Sequence, residues 1–122
     1  MSQIVRTYAA GARVEHRRLV KFSADGVVVH ATAATDLIIG VTDCPNGADT
    51  GEPVDVVRFG FTDVEFGGAV TRGVAFTATT DGKAVAAAPA TGANAYTAGR
   101  AEVTVASGDF FRCLVAPGVV QG

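Results

Sequence analysis

Few side chains in this sequence have the chemistry that nucleophilic catalysis requires. The chain contains three serines, two cysteines and two histidines, and a serine or cysteine nucleophile works only beside a base. None of the serines lies in a nucleophile-elbow motif. His16 is followed by two arginines, whose charges disfavour an imidazolium, and His30 ends an apolar run, where a half-buried strand residue is expected. The sequence therefore predicts no catalytic site and no enzyme activity.

Metal ligands are equally sparse. The loop of residues 43–52 contains three acidic residues and an asparagine, but their spacing differs from the alternating oxygen ligands of a calcium loop. Turn formation accounts for these residues. Cys44 and Cys113 are too far apart for a zinc motif and are expected to be reduced and inert. We therefore predict no metal and no cofactor.

The same sequence pattern occurs twice. An apolar run, an Asp-Gly turn and a second apolar run surround Asp25-Gly26 and, 56 residues later, Asp81-Gly82. Each half then contains a glycine-centred segment and a further turn glycine: Ile39-Gly40-Val41 and Gly51, then Ala98-Gly99-Arg100 and Gly108. A unit of this length is too small to bury an apolar face alone. We expect two quasi-repeats, 19–66 and 74–118, that share one core and are related by a pseudo-twofold axis.

The composition fits one small all-β domain. Of the 122 residues, 48% are hydrophobic and 18% are charged, with seven Phe and no Trp. Short runs of strand-forming residues alternate with turn residues, and no segment shows a convincing helical period. We predict a small β-barrel domain whose core contains Phe22, Val28, Ile39, Val54, Val56, Phe76, Val85, Val103 and Leu114.

The start of the chain differs from the remainder in charge. Residues 1–21 contain five Lys and Arg residues and one Glu, although the whole chain has a net charge of −2. The acidic remainder would repel phosphate, so we expect no direct contact with nucleic acid. We interpret residues 1–18 as an extended basic arm on a single β domain of residues 19–122. The arm is either solvated or docked on an acidic protein surface.

No targeting or membrane-spanning segment is evident in the sequence. The first residues lack the apolar stretch of a secretory signal, and the longest uncharged run, Ala84 to Gly99, is interrupted by Pro89 and Gly92. We therefore expect a soluble protein, made in the cytosol, that does not contact a membrane.

The repeated features resemble the capsid decoration proteins of tailed bacteriophages, also called cement or head-stabilising proteins. The resemblance covers residues 19–118 and consists of short glycine-based motifs: Asp25-Gly26, Ile39-Gly40-Val41, Gly51-Glu52-Pro53, Gly67-Gly68, Asp81-Gly82 and Ser107-Gly108-Asp109. It implies a small β-barrel or β-tulip domain that forms a non-enzymatic homotrimer and binds the lattice of the major capsid protein. It also implies a location on the outer surface of the virion, after assembly in the host cytoplasm.

Two sets of residues are candidates for these contacts. The β-prone start of the arm is suited to strand addition on the capsid protein, and its arginines to acidic groups there; this set is Ile4, Val5, Arg6, Tyr8, Arg13, Arg17 and Arg18. The second set lies on one predicted strand and has apolar residues on both of its faces, which predicts an oligomer interface or a core position. This set is Phe59, Phe61, Val64 and Phe66.

One alternative function remains at this point. Lys83 follows the Asp81-Gly82 turn, and biotinyl and lipoyl carrier domains also present a lysine at a hairpin turn. Asp25-Gly26 forms the same kind of turn without a lysine, because Asp-Gly is a common hairpin turn. A small binding or carrier module is therefore the alternative to a decoration protein.

Overall fold

The computed structural model describes residues 3–122, and this range is built from β-strands. It contains no helix, which confirms the all-β prediction. The Asp-Gly pairs lie in the turns of two hairpins, as predicted. The strands are β1 (Ile4–Ala10), β2 (Leu19–Ala24), β3 (Val27–His30), β4 (Gly40–Thr42), β5 (Pro53–Glu65), β6 (Ala75–Ala78), β7 (Ala84–Ala86), β8 (Asn94–Arg100) and β9 (Phe110–Gln121).

The first five strands form a closed barrel. Their order is β1-β3-β2-β4-β5, and β1 closes the barrel by pairing antiparallel with β5. Closing a sheet on itself removes most of the unpaired edges that an open sheet exposes. Small apolar side chains fill the interior: Ala10, Val14, Val20, Val28, Ile39, Cys44, Ala48, Val54 and Val56.

The second half of the chain repeats this arrangement. From β5 the sheet continues through β9, β8, β6 and β7. Three backbone pairings of the first half recur in the second half between residues 56 or 57 positions later in the sequence. The pair Ala10 and Val28 corresponds to Phe66 and Ala84, the pair Val14 and Ala48 to Val70 and Val105, and the pair Thr7 and Asp55 to Asp63 and Arg112. The prediction of two quasi-repeats is confirmed, and β5 contributes to both units.

The boundaries of the repeats differ from the expected ones, because residues 4–18 belong to the first unit. β1 pairs with both β3 and β5, and Val14 is completely buried. Because equivalent residues of the two units are 56 or 57 positions apart, β1 is the equivalent of the second half of β5. The units therefore run from β1 to the middle of β5 and from there into β9, and no separate arm precedes them within the described residues.

The two units contact each other in one direction only. The turn Asp81-Gly82 of the second unit lies against the start of β2, where the Leu19 N–H donates to the Gly82 carbonyl at 2.8 Å. The equivalent turn of the first unit, Asp25-Gly26, is exposed, and a Cβ added to Gly26 would meet nothing within 4 Å. A twofold axis would make the contact mutual. The expected pseudo-twofold relation is therefore wrong, and the units follow each other head to tail.

Five of the predicted core residues are buried, namely Val28, Ile39, Val54, Val56 and Phe76. Four are not: Phe22 is 42% exposed, and Val85, Val103 and Leu114 are half-buried. Phe22 lies near the tip of the β2–β3 hairpin, where its ring meets Tyr8 edge-on and the Arg58 guanidinium lies over it. Alternation along a strand indicates which face a residue occupies but not how close it lies to the end of the barrel.

Two equivalent glycines allow strands to approach closely. A Cβ at Gly40 would collide with the Val57 carbonyl oxygen, and a Cβ at Gly99 would collide with the Leu114 carbonyl oxygen. In both cases the obstacle is backbone, which cannot rotate away as a side chain can. The glycine-centred segments recognised in the sequence therefore mark the closest approach of β4 to β5 and of β8 to β9.

We expect Gly40→Ala to lower the free energy of unfolding by about 1–3 kcal/mol, the usual cost of forcing an extra methyl group into a packed region. Urea denaturation measures the effect. Gly118→Ala is the matched control, because its Cβ would have the Thr97 Oγ1 at 3.6 Å as its nearest contact. Equal stability of the two variants would contradict the close approach.

Candidate interaction surfaces

The amino-terminal half of β1 is exposed. Ile4 and Val5 are 59% and 40% exposed, and Arg6 is also exposed. One edge of these residues pairs with β5, whereas β3 pairs only with the last two residues of the strand. Within residues 3–122 no strand pairs with the second edge of Ile4 to Tyr8. A free edge of this kind is where another chain can add a strand.

Tyr8, a member of the same candidate set, has a structural role. Its ring packs against the core of the first unit and meets Phe22 with 5.2 Å between ring centroids. Its hydroxyl accepts a hydrogen bond from Arg58 Nη1 at 2.6 Å. The side chain is therefore committed to the mouth of the first barrel.

The other arginines of the candidate set bind groups within the same chain. Arg18 Nε donates to Glu65 Oε1 at 2.9 Å, and both side chains are largely buried. The remaining contacts are Arg13 with Glu15 and Asp49, each at 3.0 Å, and Arg17 with Thr62 Oγ1 at 2.6 Å and Asp43 at 3.7 Å. These charges are thus balanced internally, which corrects the picture of an arm whose arginines are free to meet a partner.

The aromatic segment of β5 divides into an exposed half and a buried half. Phe59 is 48% exposed and Phe61 is half-buried, whereas Val64 and Phe66 are completely buried. Phe66 meets Phe76 edge-on in the core of the second unit, with 5.3 Å between ring centroids. Val64 and Phe66 are therefore core residues, and only Phe59 and Phe61 are available to an oligomer interface.

The structure adds residues to this exposed half that the sequence did not indicate. Ile4 pairs with Phe59 between β1 and β5, and Leu114 pairs with Phe61 between β5 and β9. We call these four residues the aromatic patch. Its members come from three strands that are distant in sequence, so no local pattern groups them. Neighbouring exposed apolar residues of this kind are typical of an interaction surface.

The two histidines connect backbone segments. His30 Nε2 accepts a hydrogen bond from the Glu15 N–H at 2.9 Å, and His16 Nδ1 accepts one from the Cys44 N–H at 3.0 Å. A ring nitrogen accepts only when it is unprotonated. Burial, and then the charge of a neighbouring arginine, lowers the pKa of both histidines below 6.5. Both side chains therefore have a structural role.

We expect the free energy of unfolding to decrease as the pH falls from about 7 to 5. The histidine pKa is about 6.5 in an unfolded chain and is lower in the folded protein, so the unfolded state binds more protons in this range. The stabilisation is fully present above pH 6.5 and is lost as the pH falls through the folded pKa values. Arg18, Glu15 and Asp81 act on His30, and Arg17, Asp43 and Asp63 act on His16.

Urea denaturation at pH 7.5 and pH 5 tests this dependence. The variant His16→Asn/His30→Gln keeps a hydrogen-bond acceptor at both positions but does not titrate, so its stability should change less between the two pH values. Glu15 and Asp36 also have a lowered pKa, but they titrate below pH 4.5 and do not interfere. An unchanged pH dependence in the double variant would exclude the histidines as its cause.

The remaining candidates for chemistry are also accounted for. Cys44 and Cys113 are both buried, and burial raises the pKa of their thiols, which disfavours the reactive thiolate. In the 43–52 loop, Asp49 binds Arg13, and Glu52 accepts a hydrogen bond from the Asp49 N–H at 2.6 Å. Between residues 3 and 122, no three His, Cys, Asp or Glu side chains are grouped as metal ligands.

This architecture is similar to that of a solved structure. The chain is similar to the crystal structure of the head fiber gp8.5 N base in bacteriophage phi29, with a TM-score of 0.70 and 21% sequence identity, over 94% of this chain and 95% of that chain. The likeness shows a shared fold and confirms the small β-barrel prediction. The neighbour is part of a bacteriophage head fiber.

Comparisons of sequence give no further relative. No protein-family model matches the chain, and no curated protein matches it significantly. The described part of the chain also contains no helix with the length and hydropathy needed to cross a membrane.

Proposed function

We propose that this protein is a non-enzymatic decoration protein of a tailed-bacteriophage head. It binds the outer surface of the shell at the junctions between capsomers and stabilises the shell against the pressure of the packaged genome. The observation that carries the proposal is the fold likeness to a phage head fiber base along nearly the whole chain. Many identical weak contacts across such junctions act together through avidity, which suits a rigid β domain.

The free edge of β1 is the proposed capsid contact. Main-chain hydrogen bonds from residues 4–8 to a strand of the capsid protein would supply affinity, with Ile4 and Val5 as apolar contacts. Arg6 is exposed and is the arm arginine best placed to meet acidic groups on the shell. Its contribution decreases with increasing salt. The other three arginines of the set contribute to capsid binding only by stabilising the fold of the first unit; they are Arg13, Arg17 and Arg18.

The protein acts as a homotrimer on the head, with the aromatic patch in the interface between its copies. The support is the exposure of Ile4 and Phe59 beside the half-buried Phe61 and Leu114. A closed ring of identical copies covers such a patch on every copy. The partner is the lattice of the major capsid protein, with no direct contact to nucleic acid or membrane. The protein assembles in the host cytoplasm and remains on the virion.

Binding to undecorated heads of the phage that encodes this chain tests the function. The wild-type protein should bind in many copies per particle, and cryo-electron microscopy should show it at sites between capsomers. Ile4→Ser/Val5→Thr/Arg6→Glu should reduce binding at least tenfold, whereas Thr91→Glu, an exposed site in the second unit, should not. Absence of wild-type binding would refute the function, and full binding by the triple variant would refute the β1 contact.

The carrier alternative receives no support from the structure. Lys83 Nζ lies 3.7 Å from Glu65 Oε2, and its hairpin turn is docked against the first unit. A carrier lysine has to lie on a freely accessible turn to be modified and to deliver its cofactor.

A further inference from the structure

An open groove lies along the outer face of the second unit. Its volume is about 370 Å³, and its walls are mostly small residues from β6, β8 and β9. They include Ala75, Thr97, Gly99, Leu114, Ala116 and Gly118, and the charged residues Arg100 and Glu102 also line the groove. A groove of small side chains and exposed backbone can accept a protruding turn.

The equivalent face of the first unit is covered. The pairing of Leu19 with Val41 recurs as Ala75 with Arg100, so Leu19 is the counterpart of Ala75 in the groove. Val57 is likewise the counterpart of Leu114. Leu19, Val41 and Val57 are completely buried, and they belong to the same cluster as the core of the second unit. The second unit thus covers this face of the first unit, whereas its own equivalent face is open.

The β6–β7 turn makes a large part of the covering contact. Arg18 Nη1 donates to the Asp81 carbonyl at 3.0 Å, and the Leu19 N–H donates to the Gly82 carbonyl at 2.8 Å. A Cβ at Gly82 would lie 3.3 Å from the Cβ atoms of Arg18 and His30. The contact therefore fits a tight Asp-Gly turn closely.

The counterpart of this turn in the first unit makes no contact with the second unit within residues 3–122, although its Gly26 carbonyl accepts a hydrogen bond from the Ala9 N–H of its own unit at 3.0 Å. Residues 22–26 are all exposed, and they include Phe22 and the turn Asp25-Gly26. In the second unit, Gly73 is the equivalent of Arg17, and Arg100 Nη1 donates to the Gly73 carbonyl at 3.0 Å. The exposed guanidinium of Arg100 is thus close to the place where an acidic turn would dock. Asp25 and Arg100 have complementary charges, whereas Glu102, which also lines the groove, has the same sign as Asp25.

We infer that the groove of the second unit receives the β2–β3 turn of a second copy of this chain. The contact repeats between two molecules the one that joins the two units within a molecule. Turn and groove are different surfaces, so the arrangement is head to tail, and such contacts form a closed ring when the rotation between copies closes, as it does in the proposed homotrimer. The groove continues into the aromatic patch, because Leu114 belongs to both. For the number of copies in the ring, the inference rests on the proposed homotrimer.

Disulfide cross-linking tests the contact. A Cβ at Gly82 would lie 3.3 Å from the His30 Cβ, so by equivalence Gly26 of one copy should lie beside Ala86 of the next, close to the Cβ separation of about 3.5–4.5 Å that a disulfide requires. Gly26→Cys/Ala86→Cys keeps Asp25 and should therefore form covalent dimers and closed rings on oxidation, both on heads and in concentrated solution. The control pair Gly26→Cys/Ala106→Cys uses an exposed alanine elsewhere. Cross-linking of the test pair no stronger than the control would overturn the inference.

A charge exchange provides a second test that leaves the core unchanged. Asp25→Arg and Arg100→Asp should each weaken self-association at least tenfold, and the double variant should recover most of it; no recovery would also count against the contact. Sedimentation measures the effect without particles. If the Gly26→Cys/Ala86→Cys protein binds heads but does not cross-link on oxidation, only the turn contact is refuted. If its cross-linked rings bind no heads, only the decoration function is refuted.

Discussion

Replacing Arg18 with methionine should lower the free energy of unfolding by about 3 kcal/mol, the low end of the range for removing one partner of a buried ion pair. Arg18 and Glu65 are 14% and 15% exposed at their side chains, so little water reaches the carboxylate once the guanidinium is gone. Lys83, 3.7 Å from Glu65, is then its remaining cation. The Asp81 carbonyl also loses a donor, which loosens the contact between the units.

Urea denaturation of Arg18→Met, Glu65→Gln and the double variant measures this contribution, and the double-mutant cycle isolates the pair. Arg112→Met is the matched control. Arg112 is an exposed arginine that pairs with Asp63 across two strands, and its replacement should change stability by no more than about 0.5 kcal/mol. A loss in Arg18→Met as small as that in the control would show that the ion pair does not hold the units together.

Arg18 also shows why the charge pattern was misleading. The sequence shows a cluster of arginines near its start, and such a cluster is typical of a docking arm. The partner of Arg18 lies 47 residues further along the chain, so no local pattern connects the two. The charge of this segment binds the second unit to the first.

The features that sequence did predict are those with a local cause. Asp-Gly pairs favour a hairpin turn whatever surrounds them, so both hairpins were predictable. Gly40 and Gly99 occupy the same place in both units because a side chain there would collide with backbone. Repetition of these short signals was enough to predict a duplicated all-β domain.

Features that depend on distant pairing were not predictable. β1 and the second half of β5 occupy equivalent places but share almost no residue types, so the sequence pattern predicts an arm where the first strand of the first unit lies. In β5, Thr62 and Val64 alternate towards the interior. The exposure of Phe59 and the burial of Phe66 follow from which strands flank each part of β5. The residues adjacent to Phe59 and Phe66 in the sequence do not indicate which strands these are.

The interaction surfaces illustrate the same limit. Asp25-Gly26 and Asp81-Gly82 are identical in sequence, yet the second turn is docked and the first is exposed. Only the arrangement of the two units distinguishes them. The groove is defined by the same comparison, because its residues are small and apolar like many others in this chain.

Deleting residues 2–13 should abolish cooperative folding of the whole domain. The deletion removes β1, which pairs with β3 and β5 and closes the first barrel. Val54 and Val56, completely buried in the intact protein, would lose a covering strand, and β5 would present an unpaired edge along its first half. An unpaired edge promotes aggregation. If residues 1–18 were an arm separate from the β domain, as the charge pattern predicts, the same deletion would leave a folded domain.

Circular dichroism during heating and gel filtration distinguish the two outcomes. The truncated protein should show no sharp thermal transition and should elute as aggregates, whereas Ile4→Ser/Val5→Thr/Arg6→Glu, which alters only exposed positions of β1, should unfold within a few degrees of the wild type. A truncated protein that unfolds cooperatively near the wild-type temperature would mean that β1 is dispensable for the fold. Because the truncation removes structure and surface together, its loss of head binding does not identify the capsid contact. Loss of binding by the triple variant does so when sedimentation shows wild-type self-association, because Ile4 also belongs to the aromatic patch.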